Sequence, residues 1–295
     1  MVIRISTFED LRKVCESKDK SIWEISLLRE SELGECSTSS VRSRVKLSID
    51  AMKQAIRTGL KSEEKSISGM CGDDCVRLVK SFKTRPALFG LLYEKIVTYA
   101  LATSEENLRM GKIVACPTAG SCGIVPSVLV AVSEELELTE PEEINALLTA
   151  GEVGRIISTK SHPAGAVGGC QAECGLASAM AAALLTQLRG GTVDQILNSV
   201  ALAIKNLLGL TCDPVCGLVE IPCVKRNPFL AIHAVTASEM ALRGVESKIP
   251  IDEVIDAMEQ TGKLMSPMLK ESSQAGLATT KTAEALKLKL FPPIK

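Results

Sequence analysis

The sequence is poor in aromatic residues for a chain so rich in apolar ones. Phe, Tyr and Trp together make up 3% of the residues, whereas hydrophobic residues make up 46%. A composition dominated by Ala, Leu, Val and Ile is typical of helices packed on helices, and it disfavours a β-sandwich. The predicted fold class is therefore all-α.

The chain also lacks an excess of charge of one sign and long apolar runs. The 295 residues carry a formal net charge of -1, so no basic surface for nucleic acid is expected. No window of about 18 uninterrupted apolar residues occurs, which disfavours a membrane-spanning helix. The first residues, Met1–Ser6, lack the long apolar core of a signal peptide. We therefore expect a cytoplasmic protein that binds neither nucleic acid nor membrane.

Cysteine, by contrast, is abundant. The chain has eleven cysteines, and an odd number in a cytoplasmic protein of this length does not predict a disulfide framework. Most are expected to be small buried residues, and the remainder to bind metal. Cys71 and Cys75 are four residues apart, a spacing that can place two ligands on one face of a helix. No second pair follows at the spacing of a zinc finger, so a zinc site is not predicted there.

Signals for helix starts occur along most of the chain. Thr7 is a candidate N-cap, and the segments 21–24, 139–142 and 192–195 have the pattern of capping boxes. The helix that follows Thr139 is expected to end near Thr149. Apolar residues at helical spacing predict further helices at 41–60, 85–104, 128 onward, 176–188 and 192–208.

One glycine-rich segment, Ser161–Gly175, leads into the most apolar of these predicted helices. It contains four glycines, one proline and two cysteines. Glycine allows a backbone to approach another group closely, because it has no side chain and tolerates positive φ. Cys170 is predicted to lie where this loop becomes a helix, and the helix N-terminus favours a thiolate there. The interpretation is that Cys170 holds an inorganic cofactor.

A second segment, Leu210–Pro228, contains three cysteines and three prolines. Proline stiffens the chain and removes hydrogen-bond donors, which suits a rigid cradle. Iron–sulfur clusters are held by thiolates, and three protein ligands would leave one iron open to act as a Lewis acid. From these residues alone, simple buried thiols are an equally good interpretation.

A third loop, Pro117–Gly123, follows a short apolar run and precedes an apolar helix. It presents the hydroxyls of Thr118 and Ser121 and free N–H groups at a helix N-terminus, which suits a carboxylate or a phosphate. An ordinary turn between helices explains the local sequence equally well. The segment lacks the Gly-Lys-Ser/Thr ending of a P-loop.

Taken together, these segments resemble the alpha subunit of the iron–sulfur-dependent L-serine dehydratases, which work without pyridoxal phosphate. The resemblance covers essentially the whole chain, and several long motifs in the same order make it specific. Looser matches occur at 66–73 and 268–280. The matching motifs are 117–123, 165–173, 205–214 and 217–227.

The resemblance implies a [4Fe–4S] cluster held by Cys170, Cys212 and Cys223, and a lyase that converts L-serine into pyruvate and ammonia. It also implies a helical catalytic domain and a beta domain or beta subunit as partner. The predicted fold is thus a single large helical domain whose Gly/Pro-rich loops carry the cluster site. Residues 1–66 are predicted as an N-terminal helical segment packed on the catalytic domain, 67–295.

The expected substrate site follows from the same motifs. The predicted substrate-binding residues are Thr118, Ala119, Gly120 and Ser121, with Lys205, Asn206, Arg226 and Asn227 as more distant candidates. Each of these last four can equally be a residue that satisfies backbone groups at a helix end or in a loop. The general base is not identified, because His233 lies in an apolar helical run that predicts a structural role. It is expected from the beta subunit or from an unassigned residue.

Three features depart from the family pattern. His162 lies just before Gly165, where the family usually has a Ser-Ile-Ser-Gly-Ala sequence, and a tolerated loop change is the favoured explanation. Some relatives end in a cysteine that folds back onto the open iron, whereas this chain ends at 291–295 without one. No segment matching the beta domain occurs, so the chain is expected to be one half of a heteromeric enzyme.

Two alternatives remain open on the sequence. An L-cysteine desulfidase would use the same elimination logic to break a C–S bond and would need no beta partner. A non-catalytic iron–sulfur subunit would bind the cluster without turning over a substrate.

Overall fold

The four predicted helix caps are confirmed in the structure. In the computed structural model, which describes residues 4–292, the Thr7 hydroxyl accepts a hydrogen bond from the backbone N–H of Asp10. Capping boxes are present at Ser21, Thr139 and Thr192. These caps satisfy N–H groups that would otherwise lack partners at the first turn of each helix.

Residues 4–292 form thirteen α-helical segments and contain no β-strand, so the predicted all-α class is confirmed. A single isolated parallel bridge joins Cys212 to Lys270. The helices are α1 (Phe8–Lys18), α2 (Ile22–Leu33), α3 (Thr38–Gly59), α4 (Asp74–Thr84), α5 (Gly90–Leu108), α6 (Ile124–Glu135), α7 (Glu140–Lys160), α8 (Gly165–Gly168), α9 (Cys170–Leu188), α10 (Val193–Lys205), α11 (Cys223–Leu242), α12 (Ile251–Leu264) and α13 (Lys281–Leu290).

Several helix boundaries differ from the prediction. The starts of α3, α5 and α6 lie at 38, 90 and 124 rather than at 41, 85 and 128. Helix α7 continues to Lys160 rather than ending near Thr149, although it contains Gly151 and Gly154. Gly154 packs against α9, where an added Cβ would lie 2.8 Å from the Sδ of Met180. Tertiary contact therefore outweighs the low helix propensity of glycine. Helix α10 ends at Lys205, one turn before the predicted end at 208, and α9 starts at Cys170, not at 176.

Helix α9 is the centre of the molecule. Sixteen of its residues are buried, and it packs against α6, α7, α10 and α11. Its alanines allow these neighbouring helices to approach closely on every side. Because α9 begins at Cys170, the central packing holds that cysteine in place.

The first three helices share this core. Phe8, Leu11 and Ile25 belong to the same buried apolar cluster as Ile156 and Leu176. The division of the chain at residue 66 is not tested by this packing and stays a prediction.

No helix in the described part of the chain combines the length and the apolar character needed to cross a membrane. The prediction about the cysteine-free end concerns residues up to 295, of which 293–295 lie outside the described residues.

Candidate metal centre

Cys170 is the first residue of α9 and is 1% exposed. Gly169, just before it, has φ 78°, a left-handed conformation that glycine adopts without strain. A Cβ on Gly169 would lie 2.7 Å from the Sδ of Met265 and 3.0 Å from the carbonyl oxygen of Leu210. The sharp turn and the close packing both require glycine, and they place Cys170 against the second cysteine-containing segment.

The pKa of Cys170 is lowered by its neighbours. Its sulfur accepts a hydrogen bond from the Cys174 thiol and lies near the positively charged Arg226, and these two effects outweigh burial. Arg226 is itself held by hydrogen bonds to the carbonyl oxygen of Thr211, at 2.8 Å, and to the carboxylate of Asp213, at 3.0 Å. The thiolate predicted for Cys170 at the helix N-terminus is thus favoured by the Arg226 guanidinium as well.

Cys212 and Cys223 lie near Cys170 although they are distant in sequence. The backbone N–H of Cys212 donates to the carbonyl oxygen of Leu269 at 2.8 Å, and its carbonyl oxygen accepts from the N–H of Glu271 at 2.7 Å. Cys223 begins α11, so the predicted loop ends there rather than at 228. All three cysteines are buried.

The charge of Cys170 opposes the ionisation of the other two thiols. Burial, reinforced by the negative charge of Cys170, raises the pKa of Cys212 and raises that of Cys223 to about 12. A cation bound among them would reverse this effect, because it favours the thiolate form. The absence of a side chain at Gly165 leaves room beside Cys212, since a Cβ on Gly165 would lie 2.9 Å from the Sγ of Cys212. The donor set therefore fits a positively charged inorganic group.

A closer group of ligand atoms involves a residue that the sequence reasoning missed. Within residues 4–292, one set of three metal-ligand side chains, Cys170, Glu173 and Cys174, has all its ligand atoms within 4.8 Å of one another. Glu173 and Cys174 lie three and four residues after Cys170, on the same face of α9. This spacing was visible in the sequence. The geometry shows a group that can bind a metal.

Glu173 also meets the predicted substrate loop. Its carboxylate accepts a hydrogen bond from the Thr118 hydroxyl, and Thr118 and Ser121 are joined through their hydroxyls at 3.0 Å. Burial raises the pKa of Glu173, although the Thr118 hydrogen bond opposes this shift. A Cβ on Gly120 would lie 2.7 Å from the Glu173 carboxylate, so that glycine permits the close approach.

Asn227 fixes this loop to α11. Its side-chain oxygen accepts from the N–H of Gly123 at 2.9 Å, and its amide nitrogen donates to the carbonyl oxygens of Gly120 and Cys223, at 2.9 and 3.0 Å. Ala119 contributes its carbonyl oxygen to the same turn, where it accepts from the N–H of Cys122 at 3.3 Å. Asn227 is fully buried, so it positions the loop from behind.

Lys205 and Asn206 make their contacts elsewhere. The Lys205 amine donates to the carbonyl oxygen of Ser247 at 2.8 Å, and the Asn206 amide donates to that of Leu202 at 2.8 Å. Within the described residues, none of their hydrogen bonds reaches the cysteines or the Thr118 loop. Their predicted role near the substrate stays a prediction.

The two histidines make local contacts. His162 is exposed, and its Nδ1 accepts a hydrogen bond from the N–H of Ala164 at 3.1 Å, two residues on in the same loop. The Nε2 of His233 lies 2.9 Å from the carbonyl oxygen of Ala203 and joins α11 to α10. Both contacts satisfy backbone groups. This is the behaviour expected of a tolerated loop residue, for His162, and of a structural residue, for His233.

Two further segments support the cysteine loop. The buried carboxylate of Glu220 accepts hydrogen bonds from Ser66, at 2.7 Å, and Ser68, at 2.8 Å. On the other side, the Ser273 hydroxyl donates to the carbonyl oxygen of Pro214 at 2.7 Å. Both segments lie in the looser motif matches, which therefore hold the loop between Cys212 and Cys223.

Comparison with known proteins is consistent with these motifs. The family described as "Serine dehydratase alpha chain" matches residues 17–278. A protein from Bacillus subtilis (strain 168) named "Probable L-serine dehydratase, alpha chain" is 42% identical over 283 residues, which are 96% of this chain and 94% of that protein. The "L-serine dehydratase, alpha chain" of Peptoniphilus asaccharolyticus is 38% identical over 96% of this chain and 97% of its own length.

A longer protein also matches. The "L-serine dehydratase" of Helicobacter pylori (strain ATCC 700392 / 26695) is 39% identical over 285 residues, which are 93% of this chain but 61% of that protein. The shared region is therefore one part of a larger polypeptide in that relative.

Proposed function

Because the chain belongs to the serine dehydratase alpha chain family, we propose that it is the alpha chain of an L-serine ammonia-lyase, which eliminates water from L-serine. The observation that carries this proposal is the meeting of three separate motifs around Glu173. The cysteines, the Thr118 loop and Arg226 converge there, although up to about a hundred residues separate them in the sequence. Such convergence of polar groups and thiols is typical of an active site.

We assign the cofactor to the thiol group. Cys170, Cys212 and Cys223 would hold a [4Fe–4S] cluster, which supplies an open iron able to polarise the substrate hydroxyl for departure. Three thiolates on a cluster core of charge about +2 leave a net charge of about -1. The Arg226 guanidinium near Cys170 offsets this charge.

The chain's own residues then bind and orient L-serine. The hydroxyls of Thr118 and Ser121, with the N–H groups of their loop, receive the substrate carboxylate. The Glu173 carboxylate is the candidate to accept the Cα proton, because it lies between this loop and Cys170. Loss of the Cα proton and of the hydroxyl as water leaves aminoacrylate, which tautomerises and hydrolyses to pyruvate and ammonia.

We also propose a beta-subunit partner and a cytoplasmic location. Two relatives are named alpha chains, and the Helicobacter pylori enzyme contains additional sequence beyond the shared region. All eleven cysteines are free, which suits a reducing compartment. The division into an N-terminal segment, 1–66, and a catalytic domain, 67–295, is part of the same proposal.

The test is reconstitution of the chain with iron and sulfide without oxygen, followed by assay with L-serine and with L-cysteine, with and without a beta subunit. Pyruvate from L-serine when the partner is present supports the proposal. Sulfide from L-cysteine by the chain alone would indicate a desulfidase instead. Cluster binding with no turnover of either amino acid, even with the partner, would indicate a non-catalytic subunit.

A further inference from the structure

A cleft of about 380 Å³ lies between α2, α3 and α7, separate from the cysteines proposed as cluster ligands. Its lining includes the segment 114–116, and its volume is within the range of small-molecule sites, about 300–1,000 Å³. The proposed reaction makes no use of it.

Most of the cleft is lined by aliphatic and thioether side chains. Val41, Val45 and Met52 come from α3, Leu147 comes from α7, and Met180 comes from α9. Such a lining excludes a highly charged ligand and favours a compact aliphatic body.

Two polar groups that face the cleft are without partners. Ser26 is 3% exposed and lines the cleft, and its hydroxyl forms no hydrogen bond within residues 4–292. The guanidinium of Arg44, at the rim, forms neither an ion pair nor a hydrogen bond with any described residue. The Ser26 hydroxyl is not among the fully buried side-chain atoms that lack a partner, so it is accessible from the cleft. Both groups are therefore available to bind polar atoms of a ligand.

The two acidic residues of the lining are already neutralised. Glu30 pairs with Arg29 at 3.1 Å, and Glu152 pairs with Arg155 at 2.6 Å. Arg44 is thus the unpaired charge of the cleft, which favours an anionic ligand group.

We propose that this cleft binds a small aliphatic carboxylate. The carboxylate pairs with Arg44, the Ser26 hydroxyl donates a hydrogen bond to the ligand, and the aliphatic chain lies against Met52, Leu147 and Met180. The site is independent of the proposed reaction, so it is tested without substrate.

Gly151 offers a way to close the cleft. It lies in α7 on the cleft wall and is exposed, and an added Cβ would meet no atom within 4 Å. Gly151→Leu therefore fills open space with a good helix former, and Gly151→Ala is the matched control that leaves the cleft open. Arg44→Met removes the charge but keeps a side chain of similar length.

The experiment titrates the full chain calorimetrically with 4-methylpentanoate and, in parallel, with 4-methylpentylamine. We expect saturable binding of the carboxylate, no binding of the amine, and a loss of affinity of about tenfold or more in Gly151→Leu and Arg44→Met. Gly151→Ala should bind as the unchanged chain does. Absence of saturable binding at about 10 mM, or equal affinity in Gly151→Leu, overturns the proposal.

A second measurement locates the ligand. With ¹³C-methyl-labelled methionine, the signals of Met52 and Met180 should shift on titration, whereas that of Met268, which does not line the cleft, should not. Shifts confined to methionines outside the cleft would contradict the site even if binding were observed.

Discussion

Two of the three cysteine pairs that are spaced four residues apart in this protein have different surroundings. Cys170 and Cys174 are four residues apart next to a glycine turn, and so are Cys71 and Cys75. All four side chains are buried. Yet the pKa of Cys170 is lowered, whereas burial raises that of Cys71 to about 11 and that of Cys75 to about 12.

The neighbours explain this difference. Cys71 and Cys75 form a small apolar cluster with Leu101, Ala102 and Val224. The Lys225 amine donates to the Cys71 sulfur at 3.9 Å, but burial outweighs its effect on the Cys71 pKa. The Cys75 thiol donates to the carbonyl oxygen of Thr98 at 3.3 Å, as a satisfied structural thiol does. Cys170 instead accepts a hydrogen bond from the Cys174 thiol, the largest cause of its lowered pKa, and lies near the Arg226 guanidinium, which lowers the pKa further. Spacing alone therefore does not predict a reactive cysteine, because the hydrogen bond within the pair and the charge brought by α11 both contribute.

The largest expected effect separates the two pairs directly. Cys170→Ser should lose the bound iron and lower kcat by more than about 100-fold, because a ligand is removed and the other thiols lose their shared cation. Iron and sulfide content and the visible absorption band of the anaerobic protein measure the first effect, and the rate of L-serine turnover measures the second.

Cys75→Ala is the matched control for that variant. Its iron content and kcat should equal those of the unchanged chain, with only the modest loss of stability that a small buried side chain gives. Equal iron loss in Cys75→Ala would remove the distinction between the two pairs.

Glu173→Gln should have the next largest effect. Removing the proton acceptor is expected to lower kcat by about 10²–10⁴-fold, while cluster content stays unchanged. In the unchanged enzyme, Glu173 must be ionised to accept a proton, and burial raises its pKa above the ordinary 4.5. Activity should therefore fall as pH decreases through that raised value, and a pH–rate profile measures this limb.

If Glu173→Gln keeps the same acid limb, the base comes from the beta partner. Iron content and the visible absorption band measured in the same preparation show whether any loss of activity comes from the cluster.

Asn227→Ala should have a moderate effect on stability and substrate affinity. It leaves the N–H of Gly123 and the carbonyl of Gly120 without partners, at a cost of about 1–3 kcal/mol for each buried group. We expect a lower denaturation midpoint and a higher KM for L-serine. Asn206→Ala, whose side chain is exposed, is the control and should change neither quantity.

Lys205→Met should have the smallest effect. Its amine donates to the carbonyl oxygen of Ser247, in the loop between α11 and α12, so a loss of about 1 kcal/mol in unfolding free energy with unchanged KM is expected. A clear rise in KM would instead support the role near the substrate that the sequence predicts for Lys205.

Much of the fold was predictable because its signals are local. The cap at Thr7 and the capping boxes at Ser21, Thr139 and Thr192 depend on residues three positions apart. Helices whose interiors contain glycine or proline were harder to predict. Helix α11 passes through Pro228, and the Asn227 side chain bonds to the carbonyl of Cys223 in its first turn.

The candidate site was predicted by its motifs and not by its geometry. Cys170, Cys212 and Cys223 were singled out by resemblance, and the structure places them near one another. Glu173 was missed, because a glutamate in an apolar helix is notable only when the Thr118 loop is seen against it.

By itself the sequence determined the helical class, the four helix caps, the glycine-rich segment before Cys170 and the family. Each of these depends on residues close together in the chain, or on motifs that can be matched directly. Only the tertiary structure decided which cysteine of each pair lies next to charge, which carboxylate meets the substrate loop, and that Ser26 and Arg44 share a cleft. These outcomes depend on helices that are distant in sequence and meet through packing on α9, which no local pattern specifies.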